Sequence, residues 1–378
     1  MKKVLFVAKV VRSHIMTFHV PYLKLFKDMG WETAVAAHND YDNPADCVIP
    51  NCDKYFDVPF ERFPLSPSNM TSYHELKKII DAGDYNIIHC HTPVSAMITR
   101  LAALGARKRG TKVIYTAHGF HFFKGAPLIN WLLYFPVEWA LAHFTDALIT
   151  INKEDYARAQ KFAAKKVYYV PGVGIDTKKF AVDEDTKRIK REKIRTELEI
   201  PDDATVLLSV GEVNENKNHR VVIEALAKLK AKNVHYIICG RGELEESHEA
   251  LAKQLGLEGR VHLTGYRNDV ADFYQAADIF VFPSLREGLP VAVMEAMASG
   301  LPVVCSNIRG SSDLIHDEIA LISAPTASEE FAEALRSLID NPSIQRTLIH
   351  QNIDNAQMYS FELVREEMAR IYKEVLAE

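Results

Sequence analysis

The stretch from Ser284 to Val304 reads SLREGLPVAVMEAMASGLPVV. It follows ADIFVFPS, a β-branched and aromatic run ending in Pro and Ser, which has the pattern of a buried strand. Pro290 suits the first turn of a helix, where a missing N–H costs nothing. Gly300 with Pro302 behind it stops that helix, and PVVCS reads as the next strand. The unit is therefore strand, tight loop, short helix, strand. Glu287 falls in the loop at the carboxyl end of the strand, and Glu295, eight residues on, falls about a turn and a half into the helix. In open parallel sheets that edge is where ligands bind, so the two carboxylates are expected to address two parts of one ligand.

The same alternation runs through the whole chain. In the first half KVLFVAKV, ETAVAA, NIIHCH, KVIYTAHG and ALITIN read as buried strands, separated by helical VPYLKLFKDMG, SYHELKKIID and SAMITRLAALGARKRG. The second half repeats the scheme with TVLLSVGE, VHYIICG, RVHLTG, DIFVFPS, PVVCS and IALIS. Strands alternating with helices of this length imply right-handed crossovers and parallel sheets. A chain of 378 residues exceeds one comfortable core, so two domains are expected. Apolar periodicity gives way to Pro, Gly and dense charge near VPGVGIDTKKFAVDEDTKRIK. The expected division is residues 1–177, residues 178–358, and a final helix over 359–378 that packs back on the first domain. The fold class is α/β, with two doubly wound Rossmann-like domains facing across a cleft.

Hydrophobic content of 48% and charge of 25% describe an ordinary globular protein, and a net charge of -5 argues against nucleic acid as the main partner. The five cysteines are scattered without a C-x-x-C, as reduced cytosolic thiols rather than a disulfide frame or zinc site. The opening MKKVLFVAKVVRSH has a short apolar run broken by Lys9 and reads as a first strand, not a signal peptide.

Several strand-end turns carry polar chemistry. VGEVNENKNH places Gly211 after a strand and Lys217 and Asn218 at a helix start, where a cation and free amides can meet a phosphate. CGRGELEE sets Gly240, Arg241 and Gly242 after another strand, but no third glycine follows, so a dinucleotide fingerprint fails. GYRNDV, with Tyr266 and Arg267, is a further turn able to present groups to a base. Together they point to a phosphorylated nucleoside ligand. In the first half, HCHTP and YTAHGFHFF supply His89, His91, His118 and His121. Their H-x-H and H-x-x-H spacings do not match a zinc site, and no metal is expected. In the AHGF turn, beside Gly119 and Phe120, His118 fits a polar group facing the cleft. Asp183-Glu184-Asp185 matches Asp-x-Asp formally, but lies in a charged linker and reads as a solvated face.

Glu287-Gly288-Leu289-Pro290 with Glu295, Lys217-Asn218 after VGE, AADIFVFPS, and VPGVGID together resemble the family 4 retaining glycosyltransferases of GT-B architecture. YTAHGFHFF and SNIRGSSDLI resemble bacterial members that build exopolysaccharide or capsule units on a lipid carrier. The resemblance implies a nucleotide-sugar donor, commonly a UDP-sugar, and a saccharide acceptor that is lipid-linked. It also implies transfer with retention and no essential metal or other cofactor. Carried over by motif, Glu287 would contact the sugar and Glu295 the ribose. Lys217 would hold the diphosphate, His118 would lie beside the reacting sugar, and Tyr266 and Arg267 would meet the base. Gly211, Asn218, Arg241, Gly288, Leu289 and Pro290 would complete the donor site. Two positions depart from the family: Glu212 stands where an arginine is usual, and Ser13 and His14 replace a Gly-Gly turn after the first strand, leaving Arg241 or Arg309 to supply the second cation. A sugar-nucleotide epimerase and a non-catalytic nucleotide-binding protein are the alternative readings.

APLINWLLYFPVEWALAHF, Ala126 to Phe144, is about a membrane span in length, but Pro136, Glu138 and His143 interrupt it. It reads as a buried helix pair or as an interfacial helix. KRIKREKIR, Lys187 to Arg195, has six cations against Glu192 and is either its basic complement or the exposed side of a helix. The expected location is cytoplasmic, with peripheral attachment to the inner face of the membrane.

Overall fold

The computed structural model describes residues 1–64, 66–229, 233–318 and 320–377. The chain divides into two compact units, Met1–Val173 with Val364–Glu378, and Gly174–Leu363.

The first unit is built on a seven-stranded sheet. Its strands are β1 (Lys3–Val10), β2 (Glu32–His38), β3 (Lys54–Asp57), β4 (Ile87–His91), β5 (Lys112–Ala117), β6 (Ala147–Thr150) and β7 (Lys166–Tyr169). They lie in the order β3-β2-β1-β4-β5-β6-β7, every pair parallel. Strand period fixes the two faces. Leu5 and Val7 join one core with Ile88, Val113 and the helices Ser68–Gly83 and Pro93–Ala102. Val4, Phe6 and Ala8 join the other, with Phe26 and with Val364, Met368, Ile371 and Tyr372 of the helix Phe361–Leu376.

The second unit has β8 (Thr205–Val210), β9 (Val234–Cys239), β10 (Val261–Gly265), β11 (Ile279–Phe282), β12 (Val303–Ser306) and β13 (Leu321–Ile322). Their order is β10-β9-β8-β11-β12-β13, again all parallel. Each sheet therefore reverses its winding once, between β1 and β4 and between β8 and β11, which is the doubly wound Rossmann arrangement.

Most expected strands are present. The short edge strands β3 and β7 were not expected; their half-exposed patterns lack a continuous apolar run. Ile319 of the expected strand IALIS lies outside the described residues, and β13 covers only Leu321–Ile322. SAMITRLAALGARKRG forms two helices, Pro93–Ala102 and Leu104–Lys108. Pro290 is the N-cap of the helix Val291–Ala298 rather than a member of its first turn. That helix ends in a Schellman motif: the Leu301 amide donates to the Ala296 carbonyl and Gly300, at φ 70°, to that of Met297. VVRSHIMTFH, which carries no strong period, forms a nine-residue π-helix, Val11–His19, directly after β1.

The helix Leu128–Ala142 occupies most of the apolar stretch. Among the described residues no helix is long and apolar enough to cross a membrane. Its inner side carries Trp131, Tyr134 and Phe135 against the first core. Glu138 is buried and paired with the fully buried Arg100 at 2.8 Å, whose guanidinium lies 4.3 Å from the Tyr115 ring centre. Removing one partner strands a charge in the core. Glu138→Ala is expected to cost about 3–5 kcal/mol in denaturant unfolding, whereas Arg100→Met with Glu138→Leu recovers most of it.

Candidate active site

In the second unit the loops after β8 and β11 meet at the reversal point. The β8 loop starts at Gly211 and runs to Asn218 before the helix His219–Leu229. Lys217 turns back along Gly211, its Cε 3.2 Å from where a Cβ on that glycine would stand. Its Nζ donates to Glu287 Oε1 at 2.7 Å and sits 4.8 Å from the Phe282 ring centre. Both partners keep partial exposure, so the pair is open to a ligand. Asn218, at φ 53°, uses its amide otherwise: Nδ2 donates to the carbonyls of Pro283 (3.2 Å) and Pro325 (2.8 Å). It braces the two loops together. Asn216 adds a second brace, donating from Nδ2 to the Arg286 carbonyl at 3.0 Å.

Glu287, Gly288, Leu289 and Pro290 form the turn into the helix Val291–Ala298, with Leu289 and Pro290 buried. Gly310, at φ 83°, lies beneath: a Cβ there would stand 2.3 Å from the Gly288 carbonyl oxygen. Arg309 Nε donates to the Glu287 carbonyl at 3.1 Å, which brings a cation to this turn. Glu295 Oε2 lies 2.9 Å from the Tyr274 hydroxyl, and burial pushes its carboxyl above the ordinary range. Gly240 packs so tightly that a Cβ would lie 1.8 Å from the Gly211 carbonyl oxygen. Arg241 is exposed, its side chain lying along Gly265. Glu212 is exposed too and accepts from Asn214 Nδ2 at 2.9 Å.

Histidines fill the corresponding reversal point of the first unit. His91 ends β4, His118 follows β5, and the π-helix delivers His14 and His19. One ring nitrogen from each of these four lies within 4.8 Å of the others. His19 stacks on His91 with ring centres 3.7 Å apart, and His118 Nε2 is 3.3 Å from His91 Nδ1. Burial, and then the neighbouring imidazoles, hold His14, His19 and His91 well below the usual histidine range. Burial alone takes His118 to about 4. All four are neutral at physiological pH. His89 stands apart, with Nδ1 2.8 Å from the Tyr372 hydroxyl and Nε2 2.8 Å from Thr116 Oγ1. His121 instead stacks on Tyr134 at 4.5 Å. The spacings H-x-H and H-x-x-H therefore select the wrong set: His14 and His19, which complete the cluster, carry no such motif.

Residues 22–179 match the family model described as Glycosyltransferase Family 4, and residues 190–355 the model Glycosyl transferases group 1. The putative glycosyltransferase EpsD of Bacillus subtilis (strain 168) is 40% identical over 376 residues, covering 98% of this chain and 96% of the relative. The chain belongs to the family 4 glycosyltransferases. An Escherichia coli enzyme named UDP-Gal:alpha-D-GlcNAc-diphosphoundecaprenol alpha-1,3-galactosyltransferase is 29% identical, covering 79% of this chain and 77% of its own. Among solved structures, Anabaena HepE in complex with UDP-glucose superimposes with a TM-score of 0.80 at 18% identity, over 99% of this chain and all of that one. The fold is GT-B, and the protein is a hexosyltransferase.

In this glycosyltransferase some motif residues serve as braces. Arg267 donates from Nε and Nη2 to Asp269 at 2.9 Å and from Nη1 and Nη2 to Glu197 at 2.8 and 3.1 Å. Its guanidinium therefore holds the turn, while Tyr266 beside it is 73% exposed. Asp183 caps the helix Glu184–Glu197, accepting from the Thr186 amide and hydroxyl. The basic run lies on that helix with its charges largely answered. Lys190 and Lys193 pair with Asp272, and Arg191 and Arg195 with Asp278.

Gly310 tests how the turn is held. Gly310→Ala meets both the left-handed backbone penalty and the Gly288 carbonyl, whereas Gly256→Ala, at φ 69° with nothing within 4 Å, meets only the first. The control is expected to lose about 1–2 kcal/mol. Gly310→Ala is expected to lose about 1–3 kcal/mol more in the same unfolding measurement.

Proposed function

We propose that the protein transfers a hexose or N-acetylhexosamine from a UDP-sugar to a hydroxyl of a lipid-linked saccharide in polysaccharide assembly, with retention at the anomeric carbon. The observation that carries this reading is the Lys217–Glu287 pair at 2.7 Å, held open at the reversal point of the second sheet. It offers a cation for a diphosphate beside a carboxylate for sugar hydroxyls. HepE, of the same fold, is described in complex with UDP-glucose, and the Escherichia coli relative is named for a diphosphoundecaprenol acceptor.

In this reading the anomeric C–O bond to the diphosphate breaks and UDP leaves with the electron pair. The acceptor oxygen bonds from the same face, and its proton passes to the departing phosphate oxygen. Lys217 keeps N–H donors beyond the one given to Glu287, and these meet the charge growing on the diphosphate. Glu295 accepts from the ribose hydroxyls. Neutral His118 hydrogen-bonds beside the reacting sugar. With Lys217 in that role the diphosphate needs no Mg2+ or Mn2+.

Incubation with labelled UDP-sugars and a lipid-linked saccharide, without added Mg2+ or Mn2+, should release UDP and label the lipid with retained configuration. Epimer formation, or no turnover until a divalent ion is added, counts against the reading. Glu287→Ala should mainly lower kcat and Glu295→Ala mainly raise donor KM. Each reflects a lost charge-assisted bond of about 1.5–3 kcal/mol. Normal kinetics in both would overturn the residue roles.

The apolar helix supports peripheral attachment. Leu128 and Leu132 are 80% and 72% exposed and Trp139 half exposed, on a helix anchored from its other side. The same face of the first sheet carries an apolar groove between Pro64, Met70, Tyr73, Met97, Leu101 and Leu104. Leu and Trp at headgroup depth suit a lipid-bound acceptor. Because the basic run is largely paired, flotation on vesicles is expected to respond weakly to salt. It should be lost in Leu128→Gln with Leu132→Gln at an unchanged circular dichroism spectrum. A wild-type chain that does not float removes this part of the proposal.

A further inference from the structure

We propose that His14, His19, His91 and His118 bind one divalent transition-metal ion of the zinc class, as a resident structural centre of the first unit.

The donor set is four imidazoles, each offering one nitrogen within 4.8 Å of the others. His14 Nε2, both nitrogens of His19 and His91 Nε2 are buried without a hydrogen-bond partner. Buried polar atoms almost always find one, so orphans gathered this closely are the mark of an ion or ordered water. His91 Nδ1 and His118 Nε2 share a hydrogen bond of 3.3 Å, which leaves His91 Nε2 as the nitrogen free to ligate. A cavity of about 20 Å3 borders His19, His91 and His118, enough for one water-sized atom.

The backbone is shaped around the cluster. His14 and His19 are five residues apart, which in an α-helix would set them about 140° apart around the axis. The π-helix, whose bonds run from i to i+5, brings them to one side, and such helices are rare and frequently found at functional sites. Thr92, directly after His91, has φ 58°, a strained value for a β-branched residue. His89 is excluded because both its nitrogens are bonded, to Tyr372 and Thr116.

An all-nitrogen set selects zinc, cobalt, nickel or copper over magnesium and calcium, which prefer oxygen. Four protein ligands close the sphere, as in structural zinc sites. The ion would tie the π-helix to the ends of β4 and β5 and fix the His118 ring. All four ligands belong to the first unit, and the inference does not rest on the proposed transfer reaction.

The test uses untagged full-length protein. After growth with zinc and dialysis against metal-free buffer, elemental analysis should find close to one zinc per chain. Replacement by Co2+ should give the intense visible absorption of a tetrahedral site, and added zinc should raise Tm of the stripped protein. His14→Gln, at a half-buried position that spares the core, should bind zinc at least about tenfold more weakly. His91→Gln should abolish the Co2+ band, while exposed His143→Gln keeps the wild-type values. Absence of stoichiometric zinc uptake by the wild type, or wild-type affinity in folded His14→Gln, overturns the proposal.

Discussion

A parallel strand can be reached only by a crossover, and a sheet wound first one way and then the other must reverse between two neighbouring strands. At that reversal the loops leaving adjacent carboxyl ends part in opposite directions and leave a recess. Both sheets of this chain obey the constraint at the same place in their order, β1 beside β4 and β8 beside β11. The Lys217–Glu287 pair sits on the loops after β8 and β11, and the histidine cluster gathers at the π-helix after β1 and the ends of β4 and β5.

The two recesses are filled in opposite electrostatic senses. In the second unit Lys217 and Glu287 face each other at 2.7 Å and retain some solvent. In the first unit four imidazoles are packed where charge is penalised, so they stay neutral. On the two proposals above, one recess suits a ligand that brings charge and the other one held through lone pairs. The difference follows from depth: loop side chains at the rim against rings that reach down to Phe6 and Tyr22.

Central strands and the Glu287–Glu295 unit were legible because burial on both faces writes a continuous apolar run, and because Pro290 and Gly300 mark the helix ends. Edge strands β3 and β7 left no such mark, since one side of each is unpaired and half exposed. The π-helix was illegible for a different reason. Its i, i+5 relation between His14 and His19 has no counterpart in the 3.6-residue pattern, so nothing in the spacing joined them to His91 and His118. The visible clue was negative: Ser13 and His14 stand where the family resemblance calls for a Gly-Gly turn.

Motif matching locates a turn more reliably than it assigns the side chains upon it. Asn218 and Arg267 occupy motif positions, yet the first bonds carbonyls of two other loops and the second is enclosed by Asp269 and Glu197. The basic run from Lys187 to Arg195 shows the same effect, since its density of cations answers Asp272 and Asp278 on the unit's own surface. A cation paired this closely has little field left beyond a Debye length, and its helix serves the fold of its own unit. Exposure without a partner is the more telling property. Leu128 and Leu132 have it on a helix whose opposite side is fixed by Trp131, Phe135 and the Arg100–Glu138 pair, so their exposure is imposed by the packing of the rest of the helix. An apolar surface left uncovered in this way is where a physical argument for a lipid surface must start.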